Sequence, residues 1–113
     1  MSWKEFWNAT TTIYVNQRHK DVHYRRIAED IVAVVPHPRA RVLDFGCGEA
    51  LSADLVAGSC GTLFLCDAAQ SVRQAVAKRT AGLANVTVIE PEDLDHMPDR
   101  SLDVIVANSV IQY

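Results

Sequence analysis

The chain has 113 residues, enough for one domain but few for an α/β enzyme, whose domains commonly reach about 150 residues. Hydrophobic residues make up 49% of the sequence and charged residues 22%, so the chain can bury a core and is not a disordered segment. The net charge of -3, with no basic run and no apolar stretch near the ~18 residues of a membrane span, predicts a cytoplasmic protein without a nucleic-acid or membrane partner.

The opening segment, residues 2–16, is rich in aromatic side chains. These are Trp3, Phe6, Trp7 and Tyr14. They either fasten the segment to the body of the protein or form a lid over a ligand pocket, because aromatic rings provide stacking surface at low entropic cost. The sequence leaves both alternatives open.

An amphipathic helix is predicted over residues 18–35. Its apolar positions recur at helical spacing, at Val22, Ile27, Ile31, Val34 and Val35, with Tyr24 and Ala28 beside them. Lys20 and most other charged residues fall on the opposite side and are expected to face solvent. His19 and His23 lie one helical turn apart, but no third ligand follows a known metal pattern, so we expect solvated histidines and no metal site.

Strand and helix patterns alternate after this helix. Pro36 ends the helix because it lacks an N–H group. Residues 1–38 are predicted to pack on a sheet formed by residues 39–113. The predicted strands are 42–45, 62–66, 86–89 and 102–107, and the predicted helices between them are 49–57 and 71–81. This alternation implies right-handed crossovers and a parallel sheet, so the fold class is α/β. The strands are continuously apolar and therefore need cover on both faces.

Each predicted strand ends in a glycine turn or a polar residue. These ends are Gly46, Asp67, Glu90 and Asn108. In open parallel sheets, ligands bind beyond the carboxyl ends of the strands, so four such endings predict one ligand crevice along this edge.

The turn Gly46-Cys47-Gly48 excludes two kinds of ligand site. A dinucleotide fingerprint needs a third glycine where Leu51 stands, and Glu49 at the helix start would repel a diphosphate. No Gly-Lys-Ser/Thr sequence follows, which excludes a P-loop. The carboxylates of Asp44 and Glu49 instead favour a ligand that carries positive charge.

The cysteines give no indication of a metal or disulfide framework. Cys47, Cys60 and Cys66 have neither zinc spacing nor an even number. We expect them to be reduced and packed as small apolar groups.

Three stretches of the sequence form an ordered set of motifs: VLDFGCGEA, LCDAAQSVRQA and VIEPEDLDHMPDRSLDVIVANSVIQY. Together they resemble the successive motifs of the class I S-adenosylmethionine-dependent methyltransferases. Ala50 takes the last, tolerant position of the first motif, and Asp67 takes the acidic position that ends strand two. The resemblance covers about residues 38–113 and implies S-adenosylmethionine as cofactor and a Rossmann-like parallel sheet with strand order 3-2-1-4.

The resemblance also implies a set of cofactor-binding residues, namely Asp44, Gly46, Cys47, Gly48, Asp67, Ala68, Glu90, Pro91, Asn108 and Ser109. By this resemblance the two glycines would admit the methionyl part of the cofactor, and Asp44 would attract its ammonium group. Asn108 and Ser109 would lie beside the same end. Asp67 would accept hydrogen bonds from both ribose hydroxyls, unless it serves only as a helix cap.

The adenine end is assigned by the same resemblance. Glu90 would face the adenine amino group, although an exposed loop acid is the structural alternative. The segment is one residue longer than the usual pattern, so Glu92 or Asp93 could take that role. Asp103 is expected to be structural.

The implied reaction is transfer of a methyl group from S-adenosylmethionine to an acceptor, expected to be a small molecule, by in-line displacement. No residue can be assigned as a general base. A non-catalytic S-adenosylmethionine-binding or assembly module of the same fold is the main alternative, and another Rossmann-like nucleotide binder is a third.

Relative to the seven-stranded family fold, the chain stops just beyond strand four. We therefore expect a truncated chain that holds mainly the cofactor half. Strand four would form an edge and the second face of the sheet would lack its helices. Self-association through strand four and that face is expected, since a half-bare apolar sheet is not expected to stay monomeric.

Overall fold

A computed structural model describes residues 17–107 of the chain. Its helices are α1 (Gln17–Val34), α2 (Ala53–Ala57) and α3 (Gln70–Arg79), and a 3-10 helix spans Pro91–His96. Its strands are β1 (Arg41–Phe45), β2 (Thr62–Cys66), β3 (Val86–Ile89) and β4 (Val104–Val106). The aromatic segment 2–16 and the pair Asn108-Ser109 lie outside the described residues. Between residues 17 and 107, none of the helices is long and apolar enough to cross a membrane.

The strands form a parallel sheet in the order β3-β2-β1-β4. This confirms the predicted order and fold class. Leu43 of β1 lies opposite Phe64 of β2 on one side and Ile105 of β4 on the other, so β1 is central. The strand order implied by the family resemblance gives β1 this position, and its apolar run fits it, because an inner strand of a covered parallel sheet exposes neither face.

One face of the sheet carries α1, α2 and α3. Val42, Leu63 and Leu65 project from β1 and β2 into this layer and are at most 1% exposed. Ile31 of α1 and Val76 of α3 meet them there. The prediction that α1, α2 and α3 cover the first face only is therefore confirmed.

The second face is not bare, which corrects the sequence-based expectation. Leu43, Phe64, Cys66 and Ile89 form a buried cluster on it. Leu94, Met97 and Leu102, in and after the 3-10 helix, pack against this cluster. The cover ends at β4, where Ile105 is 65% exposed. Among the described residues, the large apolar side chain left exposed on this face is therefore at β4.

The helix after β1 begins four residues later than predicted. Gly48 and Ala50 have φ angles of 58° and 47°, which an α-helix does not accept, so the helix begins only at Ala53. β4 is also shorter than predicted. The Asp103 side chain, which precedes it, accepts a hydrogen bond from the Arg41 N–H at 2.8 Å, in the structural role expected of it.

Candidate functional site

The parallel register brings three of the predicted site positions to one edge of the sheet. Phe45 lies opposite Cys66, and Cys66 lies opposite Ile89, so Gly46, Asp67 and Glu90 follow neighbouring strand ends. The turn after β1 also closes onto β2, because the N–H groups of Gly46 and Cys47 both donate to the Cys66 carbonyl, at 2.8 and 3.0 Å.

The turn requires glycine at position 48 for two separate reasons. Its φ of 58° lies in the left-handed region that side chains disfavour. A Cβ at this position would also stand 2.8 Å from the Tyr24 hydroxyl oxygen. Gly46, with a φ of 75°, shares the first reason. Backbone therefore reaches the site edge here without a side chain in front of it.

The Asp67 carboxylate fastens the turn to the end of β2. Its Oδ2 accepts the Gly48 N–H at 3.1 Å, and its Oδ1 accepts the Ala69 N–H at 3.0 Å, one residue before α3. The second bond closes an Asx turn just before α3, and α3 has no side-chain cap hydrogen bond, so the helix-cap role considered from sequence is not the one Asp67 takes. Each carboxylate oxygen has two lone-pair sites, so the half-buried group retains capacity for two further donors. Ala68 lies exposed beside it.

Asp44 is a buried carboxyl group at the centre of the site. Only 7% of it is exposed. Burial, and then the nearby charge of Asp67, raise its pKa from 3.8 to about 7. It lines a small cavity of about 20 Å³ together with Tyr24 and Ala50. A cationic ligand group near Asp44 would favour its ionised form.

Glu90 is tied to the rest of the edge by Arg73, a residue that sequence reasoning missed. The Arg73 guanidinium donates to the Asp67 carbonyl at 2.8 Å and contacts a Glu90 carboxylate oxygen at 3.4 Å. The Glu90 N–H donates to Asp93 Oδ2 at 3.0 Å, so Asp93 is committed to the start of the 3-10 helix. Arg73 stands in the first turn of α3, where a cation is unfavourable because it opposes the helix dipole. This unfavourable position was the signal in the sequence that Arg73 has partners outside the helix.

A wide concavity of about 350 Å³ lies beside this pair. Five of its seven lining residues are polar or charged, and the lining comes from Gln70, Arg73, Gln74, Ala77, Val88, Glu90 and Asp93. Glu90 is exposed on its wall, and Pro91 opens the 3-10 helix next to it.

Two residues of α1 also reach the turn, which the sequence did not indicate. Lys20 Nζ lies 2.7 Å from a Glu49 carboxylate oxygen, and the Lys20 side chain is only 18% exposed. The Tyr24 hydroxyl oxygen accepts the Glu49 N–H at 3.2 Å. The expectation that Lys20 faces solvent is therefore wrong. Glu49 is neutralised within the chain, and the preference for a cationic ligand depends on Asp44 and Asp67.

The cysteines are free and buried, in agreement with the sequence-based prediction. Burial raises the pKa of Cys47, with the charges of Asp44 and Asp67 adding to the effect, and that of Cys66 to about 11. The raised pKa values favour the neutral thiol near pH 7, and a neutral thiol is a poor nucleophile. Between residues 17 and 107 there is no group of three His, Cys, Asp or Glu side chains that could hold a metal ion.

Comparison with solved structures places this arrangement among methyltransferase folds. A Methanococcus maripaludis protein assigned as an S-adenosyl-L-methionine-dependent methyltransferase matches with a TM-score of 0.65 and 22% identity, over 97% of this chain and 50% of its own. Phosphoethanolamine N-methyltransferase 1 of Haemonchus contortus was solved with phosphoethanolamine and S-adenosylhomocysteine. It matches with a TM-score of 0.64 and 22% identity, over 90% of this chain and 23% of its own. An rRNA methylase of Streptococcus thermophilus matches with a TM-score of 0.56 and 20% identity, over 71% of this chain and 47% of its own.

These likenesses describe the fold, and this chain spans only 23% to 50% of the length of the three proteins. None of the curated proteins matches the sequence. The family model described as methyltransferase domain matches residues 43–113, which include the glycine turn and the ends of β2 and β3. S-adenosylmethionine, the cofactor predicted from the motifs, agrees with this match. The chain therefore belongs to the methyltransferase domain family.

Proposed function

We propose that this chain binds S-adenosylmethionine along the carboxyl edge of the sheet and forms the cofactor site of a methyltransferase. The observation that carries the proposal is the juxtaposition of the glycine turn and the Asp67 carboxylate, joined at Gly48 by a 3.1 Å hydrogen bond. The match of residues 43–113 to the methyltransferase domain supports it.

The residues at this edge fit the chemistry of the cofactor. The methionyl end carries an ammonium group, which suits the buried carboxyl of Asp44, and needs close backbone approach, which Gly46 and Gly48 allow. Asp67 has lone pairs for the ribose hydroxyls. Glu90 and Pro91 are assigned to adenine, at the opposite end of the edge.

The remaining predicted contacts complete the proposed site. Cys47 lies buried inside the glycine turn, and Ala68 lies exposed beside Asp67, where it offers an apolar surface to the nucleoside. Asn108 and Ser109, next to the methionyl end, stay predictions because they lie outside the described residues.

When bound, the cofactor supplies a methyl group on a sulfonium that a nucleophile can displace. The contribution of this chain is to hold and orient that group rather than to form bonds with it. Asp44 and Asp67 place two carboxyl groups near the cationic part, which favours the charged cofactor over a neutral analogue. We assign no general base to this chain.

The acceptor that we propose is a small molecule. The acidic composition, with a net charge of -3, supports it, since binding to a nucleic-acid backbone favours basic surfaces. An RNA acceptor is the competing possibility, because the matched structures include rRNA methylases. Incubation with methyl-labelled S-adenosylmethionine and either a metabolite pool or purified RNA separates them. Label in RNA alone would overturn the proposed acceptor, and tight binding without any transfer would favour the non-catalytic module.

Calorimetry with S-adenosylhomocysteine tests cofactor binding. Asp67→Ala should weaken binding by about 1.5–3 kcal/mol, because hydrogen bonds to a charged acceptor are lost. Asp30→Ala is the matched control, since Asp30 is an exposed carboxylate on α1 far along the helix from the turn. Unchanged affinity in the Asp67 variant would remove the ribose role, and binding of NAD but not of S-adenosylhomocysteine would overturn the function itself.

We also propose that the chain self-associates through β4. The feature in favour is Ile105, 65% exposed on the side of the second face that the 3-10 segment leaves open. Light scattering after size-exclusion chromatography measures the mass, and Ile105→Lys should dissociate the assembly. A wild-type monomer at micromolar concentration would refute this part of the proposal.

A further inference from the structure

The glycine turn is held from two opposite sides. On one side, the Asp67 carboxylate accepts the Gly48 N–H at 3.1 Å. On the other, the Tyr24 hydroxyl oxygen accepts the N–H of the next residue, Glu49, at 3.2 Å. Two successive amide groups of the turn are thereby fixed by two different elements, α1 and the end of β2.

Lys20 adds a charge contact to the α1 side. Its ammonium lies 2.7 Å from the Glu49 carboxylate, and its side chain is largely shielded from solvent, at 18% exposed. Lys20 and Tyr24 are four residues apart, so they project from the same face of α1 in successive turns. By contrast, the ion pair of Arg25 with Glu29 on the same helix has side chains that are 70% and 62% exposed, which marks it as an ordinary surface pair.

The fit between α1 and the turn is also steric. Tyr24 fills the space that a side chain at position 48 would occupy, since a Cβ there would stand 2.8 Å from its hydroxyl oxygen. Tyr24 and Asp44 line the same small cavity between α1 and β1. The contact of α1 is therefore made at the part of the edge that belongs to β1, beside the buried carboxyl.

We propose that Lys20 and Tyr24 are positioning residues that act through Glu49 to hold the glycine turn for the methionyl end of the cofactor. This inference rests on the proposed function. It assigns α1 to the binding site itself, although residues 1–38 were predicted to be a separate supporting segment.

The location predicts which end of the ligand depends on these residues. The turn follows β1, whereas Glu90 follows β3, and β2 lies between them. Two strand spacings separate the two positions by about 10 Å. A change confined to α1 and the turn should therefore alter contacts of the methionyl end and leave the adenosine end unaffected.

A pair of ligands separates the two ends. S-adenosylhomocysteine carries the amino-acid group, and 5′-deoxy-5′-methylthioadenosine lacks it while keeping the adenosine and the sulfur. Calorimetry of both ligands with Tyr24→Phe and Lys20→Met should show roughly three- to tenfold weaker binding of S-adenosylhomocysteine and less than about twofold change for the thioadenosine, as expected for loss of one net hydrogen bond or partly buried ion pair. Lys20→Arg keeps the charge and should restore most of the affinity.

Arg25→Met is the matched control, because it removes an ion pair from the same helix without touching the turn. It should change neither affinity. Amide hydrogen exchange gives an independent readout, in which Tyr24→Phe should speed the exchange of the Glu49 N–H more than that of the Gly48 N–H.

Three results would contradict this assignment in different ways. If the variants bind both ligands equally more weakly, α1 is a general structural support. If both affinities are unchanged, Lys20 and Tyr24 have no role in binding. Failure of the wild-type chain to bind either ligand would instead overturn the proposed function, and the assignment with it.

Discussion

Replacing the buried Asp44 with Asn should raise the stability of the protein and lower its affinity for a cationic ligand. The pKa of Asp44 is raised from 3.8 to about 7, first by burial and then by the charge of Asp67. The folded protein therefore binds this proton more tightly than the unfolded chain does. The resulting stabilisation is fully present below about pH 4 and is lost as the pH rises through about 7.

The magnitude follows from the interval between the two pKa values. From 3.8 to about 7, at about 1.4 kcal/mol per pH unit, the free energy of unfolding falls by up to about 4 kcal/mol. Asn has nearly the same shape and does not titrate, so the variant lacks this loss. Relative to the wild type, Asp44→Asn should gain stability from pH 5 to about pH 7, and the difference should level off above that pH.

Thermal unfolding followed by circular dichroism between pH 5 and pH 8 measures this difference. Asp54→Asn, at an exposed position in α2, is the matched control and should run parallel to the wild type. Parallel curves for Asp44→Asn as well would show that the carboxyl does not titrate in this range and would refute the reasoning.

Ligand binding should change in the opposite direction. At pH 8 the wild-type carboxylate is ionised and attracts the ammonium of S-adenosylhomocysteine, which the neutral amide of Asp44→Asn does not. We expect calorimetry to give an affinity lower by about 1–3 kcal/mol. A more stable protein that binds less well would indicate that the buried charge is retained for the ligand.

Other changes have expected outcomes of their own. Gly48→Ala should lower the free energy of unfolding, measured in urea, by at least about 1–2 kcal/mol because Gly48 has a positive φ. Adding Tyr24→Phe should recover part of any further loss, because it removes the oxygen that a Cβ at position 48 would meet. Strictly additive effects of the two substitutions would contradict that contact. Arg73→Met should cost about 1–2 kcal/mol in the same assay and weaken S-adenosylhomocysteine binding, whereas an effect on stability alone would show that its link to Glu90 is not used by the ligand. The Cys66 thiol, whose pKa burial raises to about 11, should react with a disulfide reagent at pH 7.5 only after unfolding in urea, and rapid labelling of the folded protein would refute its burial.

The strands and the position of the site edge could be predicted because each depends on local patterns, whereas the order of the strands followed from the resemblance of the motifs to the methyltransferase family. Short apolar runs such as Thr62–Cys66 can only be strands in this context, and a polar residue directly after each run marks its carboxyl end. The glycine turn then orients the first crossover. These signals lie within a few residues of the features they predict.

The contacts that cross between elements could not be predicted in the same way. Helical periodicity places Lys20 opposite the apolar stripe, but it does not tell how far a long side chain at the helix margin reaches toward a neighbouring turn. The positive φ of Ala50 has no signal in the sequence, so the start of α2 was placed too early. Leu94, Met97 and Leu102 follow no helical or strand period, and their cover of the second face was missed.

The pairing of β1 with β4 has a consequence for how the protein is made. Arg41 and Asp103 exchange two hydrogen bonds of 2.8 Å at the start of these strands, across 62 positions of the sequence. At about 5–20 residues per second, the ribosome needs roughly 3–12 seconds to synthesise the chain between them. During that interval β1 can pair with β2 but leaves its other edge open. We expect wrong strand pairing and chaperone capture of nascent chains to be most frequent in this interval, which ends when β4 emerges.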